Sequence, residues 1–338
     1  MTPRHTRSTG GIAFLLLLAC GGLFAQQGEL PPLRRSFAEV TMPVPPFPEG
    51  AKGPKFEPRP GETIAWIGGT EIVDLDRYGF LEAGMQLTWP ELGLRWRNLA
   101  WQGDTVYRQA RPLYFYTKVG DPQPGSIPDH RERTEPGIVF IAFGKMESLE
   151  GTERLPDFVA AYTKLIDDLL PLTNRIVLVE PTPFFESGPA AARAGGRNTV
   201  LASYGEAIER LASERKLLFV RAAADWKAGL SDNGVHLNES GQLVLANSLL
   251  DQIGAGVRKA ENMSPALHDA IARKNLLWQQ YYRPTNWAFL FGDRQHVPAS
   301  RDVEKREERW FVREIDALPA LIAGAEADIQ RYAKETTK

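Results

Sequence analysis

The chain of 338 residues has one cysteine, five histidines and almost no charge excess, with 40 Lys and Arg against 42 Asp and Glu. A single cysteine excludes an intramolecular disulfide. A net charge of −2 excludes a basic surface built for nucleic acid. The few histidines are scattered without ligand spacing, which excludes the common zinc motifs. A Gly-rich phosphate loop is also lacking; Gly68-Gly69 alone is far too short a signal. Neither a cofactor nor a metal is therefore expected. After the first 25 residues the sequence has no apolar run long enough to span a bilayer.

The N-terminus differs from the rest. Arg4, His5 and Arg7 precede Ile12-Ala13-Phe14-Leu15-Leu16-Leu17-Leu18-Ala19, a positive region followed by a short apolar one. This predicts an export signal over residues 1–25 and an extracytoplasmic protein. Two processing sites stay open. Leu17-Leu18-Ala19-Cys20 resembles a bacterial lipobox and would make Cys20 a lipid anchor at the membrane surface; cleavage after Ala25 would release the chain. Residues 26–61 are proline-rich, which predicts an extended linker or a strap over the domain surface.

From residue 62 short apolar runs recur at Thr63–Ile67, Leu94–Ala100, Ile138–Phe143, Arg175–Val179 and Leu217–Val220. Runs of that length suit strands buried on both faces of a parallel sheet. Between them Phe158, Tyr162, Leu165, Ile166 and Leu169 recur at helical spacing, and so do Leu201, Tyr204, Ile208 and Leu211. Leu243, Val244, Ala246 and Leu250 predict a helix after the last strand. Alternating strands and helices predict an α/β fold, a parallel sheet between two helical layers, over residues 62–255. Sites in such folds form at the C-terminal ends of the strands. Residues 256–338 are richer in aromatics and helical pattern, a C-terminal helical extension, in which the charge run Arg301–Arg309 reads as a solvated helix face.

Three strand ends carry polar residues fit for chemistry. Thr70 follows Gly68-Gly69 after the first strand, where a hydroxyl could act as nucleophile. Gly103 follows the second, and Met146 and Glu147 the third. His236, in Leu230-Ser231-Asp232-Asn233-Gly234-Val235-His236, suits a general base because its ordinary pKa lies near neutrality. Asp232 and Asn233 are near enough in sequence to orient it. Asp74 and Asp76 follow Thr70 where they could act as carboxylates at the strand end, although acids in a first helical turn usually serve the helix dipole.

The four blocks Ile67-Gly68-Gly69-Thr70, Asn98–Val106, Phe140–Ser148 and Asp232–Gly241, taken in order, resemble those of the SGNH (GDSL-type) hydrolases. The resemblance implies a three-layer α/β/α sandwich with a five-stranded parallel sheet. It further implies a nucleophile at Thr70, a base at His236, and oxyanion donors from the Thr70 amide and Gly103. The chain departs from that pattern three times. Thr70 replaces serine, and its extra methyl stiffens the side chain. Met146 stands where the family has a donating asparagine. Asn233 stands where it has aspartate, with Asp232 adjacent. A narrower resemblance, to secreted bacterial GDSL-like proteins, rests on Gly69-Thr70 … Tyr78-Gly79-Phe80-Leu81-Glu82 and on Lys274-Asn275 … Arg283-Pro284-Thr285-Asn286. It implies that the extension packs on the domain, with Arg283 and Asn286 at the pocket edge beside Gly69, Met146 and Glu147. The expected activity is hydrolysis of O-acyl esters, acetyl groups on carbohydrate among them. The alternatives are a module of the same fold that binds glycan or envelope components without turnover, and a structural lipoprotein module.

Overall fold

The computed structural model describes residues 55–108, 134, 136–223, 226–256, 260–284, 296 and 301–337. The export signal, Cys20, most of the proline-rich segment and Asn286 lie outside the described residues.

Five strands build one sheet: β1 (Thr63–Gly68), β2 (Arg95–Asn98), β3 (Pro136–Ala142), β4 (Ile176–Val179) and β5 (Leu218–Val220). Their order is β2-β1-β3-β4-β5, and all pairs are parallel. All six residues of β1 are buried, as a central parallel strand covered on both faces requires. Alternate residues point to opposite faces. Ala65, Ile67, Val139, Ile141 and Leu178 pack under α3 (Leu155–Leu169) and α4 (Ala194–Arg215). Ile64, Trp66, Ile138, Phe140 and Val179 pack under α2 (Phe80–Thr88) and α5 (Glu239–Gln252). Trp66 stacks on Phe140 with ring centroids 4.2 Å apart. The result is a three-layer α/β/α sandwich, entered from β1 through the short helix α1 (Leu75–Tyr78).

Part of the proline-rich segment straps this sandwich. Phe56 lies 5.5 Å from Trp89 and 5.8 Å from Phe140, ring to ring, and Gly61 donates its amide to Leu92 O.

The extension contributes α6 (Pro265–Tyr282) and α7 (Trp310–Thr336). Ser264 caps α6 by accepting from the Leu267 amide. Leu267, Ala270 and Ile271 of α6, Ile329 and Ala333 of α7, and Ala83 and Leu87 of α2 share one apolar cluster. Within it sits a buried polar clasp. Lys274, fully buried, pairs with Glu82 at 2.9 Å, and Asn275 Nδ2 donates to Asp76 O. Trp278 Nε1 and Tyr282 OH donate to Asn98 O and Leu99 O at the end of β2. The extension thus holds the strand ends on which the site is built.

The charge run Arg301–Arg309 is not the helix face that its composition suggests. It forms a turn closed by an antiparallel bridge between Arg301 and Arg309, and α7 begins at Trp310. Asp302 causes this: its carboxylate accepts from the Glu304 and Lys305 amides, a local bond that competes with the helix. Among the described residues no helix is long and apolar enough to cross a membrane.

Candidate active site

β1 ends in two glycines because the backbone of neighbouring segments comes too close for a side chain. A Cβ on Gly68 would lie 2.4 Å from Ala142 O, and one on Gly69 2.4 Å from Asp104 O. The chain therefore turns tightly between the ends of β3 and the loop after β2, and Thr70 is the first residue with a side chain. Thr70 is only 6% exposed. Gly103, with φ +87° and open space around it, aims its amide at Thr70 Oγ1 over 3.4 Å. A backbone N–H beside the attacking oxygen is the placement an oxyanion donor needs.

His236 lies on the loop before α5. Its Nδ1 is 3.0 Å from Asp74 Oδ2. Asp74 immediately precedes α1 but makes no capping bond there, so its carboxylate serves the histidine. The expected orienters have other partners. Asn233 Oδ1 accepts from the backbone amides of Val235 and His236, at 3.0 and 2.8 Å. Asp232 Oδ1 accepts from Asn238 Nδ2 at 3.0 Å. Both residues shape the loop, and neither reaches the ring. The physical reason is local: an Asx side chain at the start of a turn satisfies the amides two and three residues on. The ring's partner comes instead from the turn that follows the first block, 162 positions away.

An acid on Nδ1 fixes the tautomer with the proton on that nitrogen, leaving Nε2 able to take a proton. No hydrogen bond joins His236 to Thr70. Asp76, the other acid of this turn, is buried and accepts from Trp96 Nε1 at 2.9 Å. Burial raises its pKa above the ordinary carboxylate value.

Beneath Thr70 is a set of buried charges to which the sequence pattern gave no weight. Lys145, fully buried, donates to Thr182 Oγ1 (3.1 Å), Pro183 O (2.9 Å) and Val235 O (2.6 Å). It ties the end of β3 to the segment after β4 and to the residue before His236. Burial lowers its pKa to about 8 against the opposing pull of Glu71. Glu71, next to Thr70 and 5% exposed, is raised by burial, then by Glu147, to about 8. The visible signal was a charged residue three positions after the ends of β1 and β3.

Glu147 does not stand at the mouth of the site. It is buried, and its carboxylate accepts from Val106 N at 2.6 Å and Gly144 N at 2.8 Å, stitching the second block to the third. Burial raises its pKa too. Met146, half-buried, brings no donor and begins a short 3-10 turn. Arg283 follows α6, with its guanidinium 5.3 Å from the Trp101 ring centroid. Among the described residues no group of three or more His, Cys, Asp and Glu side chains is arranged to hold a metal ion.

No curated protein matches the chain. Among solved structures it is similar to a catalytic mutant of Axe2, an acetylxylan esterase from Geobacillus stearothermophilus. That likeness has 22% identity over 58% of this chain and 95% of that one, with a TM-score of 0.43. It is also similar to a protein described as a GDSL-like lipase from Parabacteroides merdae, with 17% identity, 60% and 100% coverage, and a TM-score of 0.43. Residues 79–244 match the GDSL-like Lipase/Acylhydrolase family. The match takes in Gly103, Lys145 and His236 and begins after Thr70 and Asp74. The three-layer parallel fold agrees with that match, and residues 79–244 are a GDSL-like lipase/acylhydrolase domain.

Proposed function

We propose that this protein is an extracytoplasmic hydrolase of O-acyl esters, acting on acylated and in particular acetylated carbohydrate. The observation that carries the proposal is the Asp74–His236 pair at 3.0 Å. It supplies an oriented base to a domain whose expected acid, at position 233, is an asparagine.

Thr70 Oγ1 attacks the acyl carbon while His236 Nε2 takes its proton. The negative charge that develops on the acyl oxygen is met by the Gly103 amide and the amide of Thr70. The alcohol leaves with the proton from His236, and the acyl group stays on Thr70 as an ester. Water, deprotonated by His236, then releases the acid. With Met146 in place of a third donor, the oxyanion is under-stabilised by a factor on the order of 10²–10³, so turnover is slow. The positive and apolar N-terminal segment supports export, and Cys20 supports a lipid anchor.

A second reading is favoured by one observation: Thr70 and His236 share no hydrogen bond. On that reading the cleft binds glycan without turnover. Hydrolysis of an aryl acetate and of acetylated xylo-oligosaccharides by wild type, Thr70→Ala, His236→Ala and Asp74→Asn separates the two. The hydrolase reading expects Thr70→Ala and His236→Ala to abolish turnover, and Asp74→Asn to lower it by about 10³–10⁴-fold. Equal rates in all four proteins would leave only the binding reading.

A further inference from the structure

Arg283 has no assigned task in the ester chemistry, yet it is placed beside it. Trp278 and Tyr282, just before it on α6, are bonded to backbone oxygens at the end of β2. Arg283 is thereby fixed against Trp101, whose own amide bonds to Gly68 O at 3.2 Å in the nucleophile turn. Its guanidinium stacks 5.3 Å from the Trp101 ring and 5.7 Å from the Tyr282 ring. Those rings hold the plane of the guanidinium but accept none of its in-plane donors.

The donors themselves are the decisive feature. Nε and Nη2 of Arg283 are both buried and both without a hydrogen-bond partner. They are the two nitrogens that share one edge of the guanidinium, with their N–H bonds parallel. That edge matches the two oxygens of a carboxylate, which it binds in bidentate fashion. Asp76, whose carboxylate feels the charge of Arg283, does not fill the role: it is engaged by Trp96 at 2.9 Å and forms no ion pair with Arg283. A buried donor without a partner is costly. A planar, two-donor edge, buried and stacked on Trp101, which lies two residues before Gly103, calls for a planar two-oxygen acceptor.

We propose that Arg283 binds a carboxylate on the substrate, so that the preferred ester is carried by an acidic glycan, one containing uronate residues. Trp101 and Tyr282 are its positioning residues. The proposal rests on the reading of this cleft as glycan-binding, but it does not need turnover, so a binding measurement tests it separately from the esterase assays.

Calorimetric titration of the full chain with trigalacturonate and with its neutral counterpart, galactotriose, is the test. Wild type is expected to bind the acidic trisaccharide at least about tenfold more tightly, the effect of one charge-assisted bidentate contact. Arg283→Gln should remove that preference, so that the two sugars bind with equal affinity. Because Arg283 ends α6, Arg283→Lys serves as a second variant. It keeps the charge but not the fork, and it should lose most of the preference. Equal affinities of wild type for the two sugars would overturn the proposal whatever the esterase assays give, and so would an undiminished preference in Arg283→Gln. Sodium acetate at the same concentration as the trisaccharide should not compete. Displacement by acetate would make the released acid the occupant and overturn the assignment to a glycan.

Discussion

Among the described residues Lys145 and Lys274 are both fully buried, and they are satisfied in different ways. Lys274 has a direct ion pair with Glu82 at 2.9 Å. Lys145 has no ion pair. It directs its three N–H bonds to a threonine hydroxyl and two backbone carbonyls, from two separate segments. A side chain–side chain pair can be replaced as a pair, whereas bonds to backbone oxygens cannot. The first lysine is therefore a clasp between the extension and the domain, and its task is exchangeable for apolar packing. The second is bound to the loop of His236, and its task is not exchangeable.

The largest effect should come from Lys145→Met. The half-buried Pro183 O and Val235 O would lose their donor, and the charge facing Glu71 would vanish. The expected cost is about 3–5 kcal/mol of stability, with turnover per folded molecule falling by more than about 10²-fold as the histidine loop loses its anchor. Denaturant unfolding and active-site-normalised rates measure the two. Lys274→Met should cost about 3 kcal/mol and leave turnover per folded molecule within about twofold. Restoring the balance with Glu82→Leu in the same chain should bring stability back to within about 2 kcal/mol of wild type. If the double variant stays as unstable as Lys274→Met, the clasp is not exchangeable and the contrast between the lysines fails.

A pH titration sharpens the contrast. Burial holds Glu71 at about 8 and Glu82 at about 7, both from an ordinary 4.5. The folded chain therefore keeps protons that the unfolded chain releases between about 4.5 and 8. Stability from these groups is complete below 4.5 and declines as pH rises through that window. Lys145, lowered from 10.5 to about 8, acts in the opposite direction and only above about 8. The melting temperature should fall by roughly 5–10 °C between pH 5 and pH 8. Glu71→Gln, which keeps the shape and removes the proton, should flatten the upper half of that decline. A melting temperature that rises steadily from pH 5 to pH 8 would contradict it.

The sheet and its helices were legible in the sequence because apolar periodicity reports burial. Ile138–Phe143 reads as a buried run and is β3, and Phe158, Tyr162 and Ile166 read as one helix face and are the inner face of α3. The tight glycine turn before Thr70 and the loop of Gly103 were legible as local signals at strand ends. The partner of His236 was not, because a contact spanning 162 positions leaves no period, and the nearby Asp232 and Asn233 offered a shorter explanation. Asp74 was visible as a carboxylate at a strand end, but the commoner role of an acid at a helix start outweighed that reading, and it makes no capping bond here. The run Arg301–Arg309 misled for the opposite reason: its composition suits a helix, and one Asx turn at Asp302 overrides it.

The smallest expected effect tests who orients the histidine. The loop of His236 is held from outside by Lys145 through Val235 O and from within by Asn233 through the Val235 and His236 amides. Asn233→Asp restores the acid that the family pattern has at this position. Its oxygen faces two backbone amides, which donate to a carboxylate as readily as to an amide carbonyl, so the loop keeps its shape. A charged acceptor strengthens those two bonds, and stability should rise by about 0.5–1 kcal/mol. The ring of His236 remains with Asp74, so turnover should change by less than about threefold, small against the 10³–10⁴-fold loss expected of Asp74→Asn. A gain of a hundredfold in Asn233→Asp would mean that position 233 reaches the ring during turnover. Lys145, rather than anchoring a fixed loop, would then be holding back one that has to move.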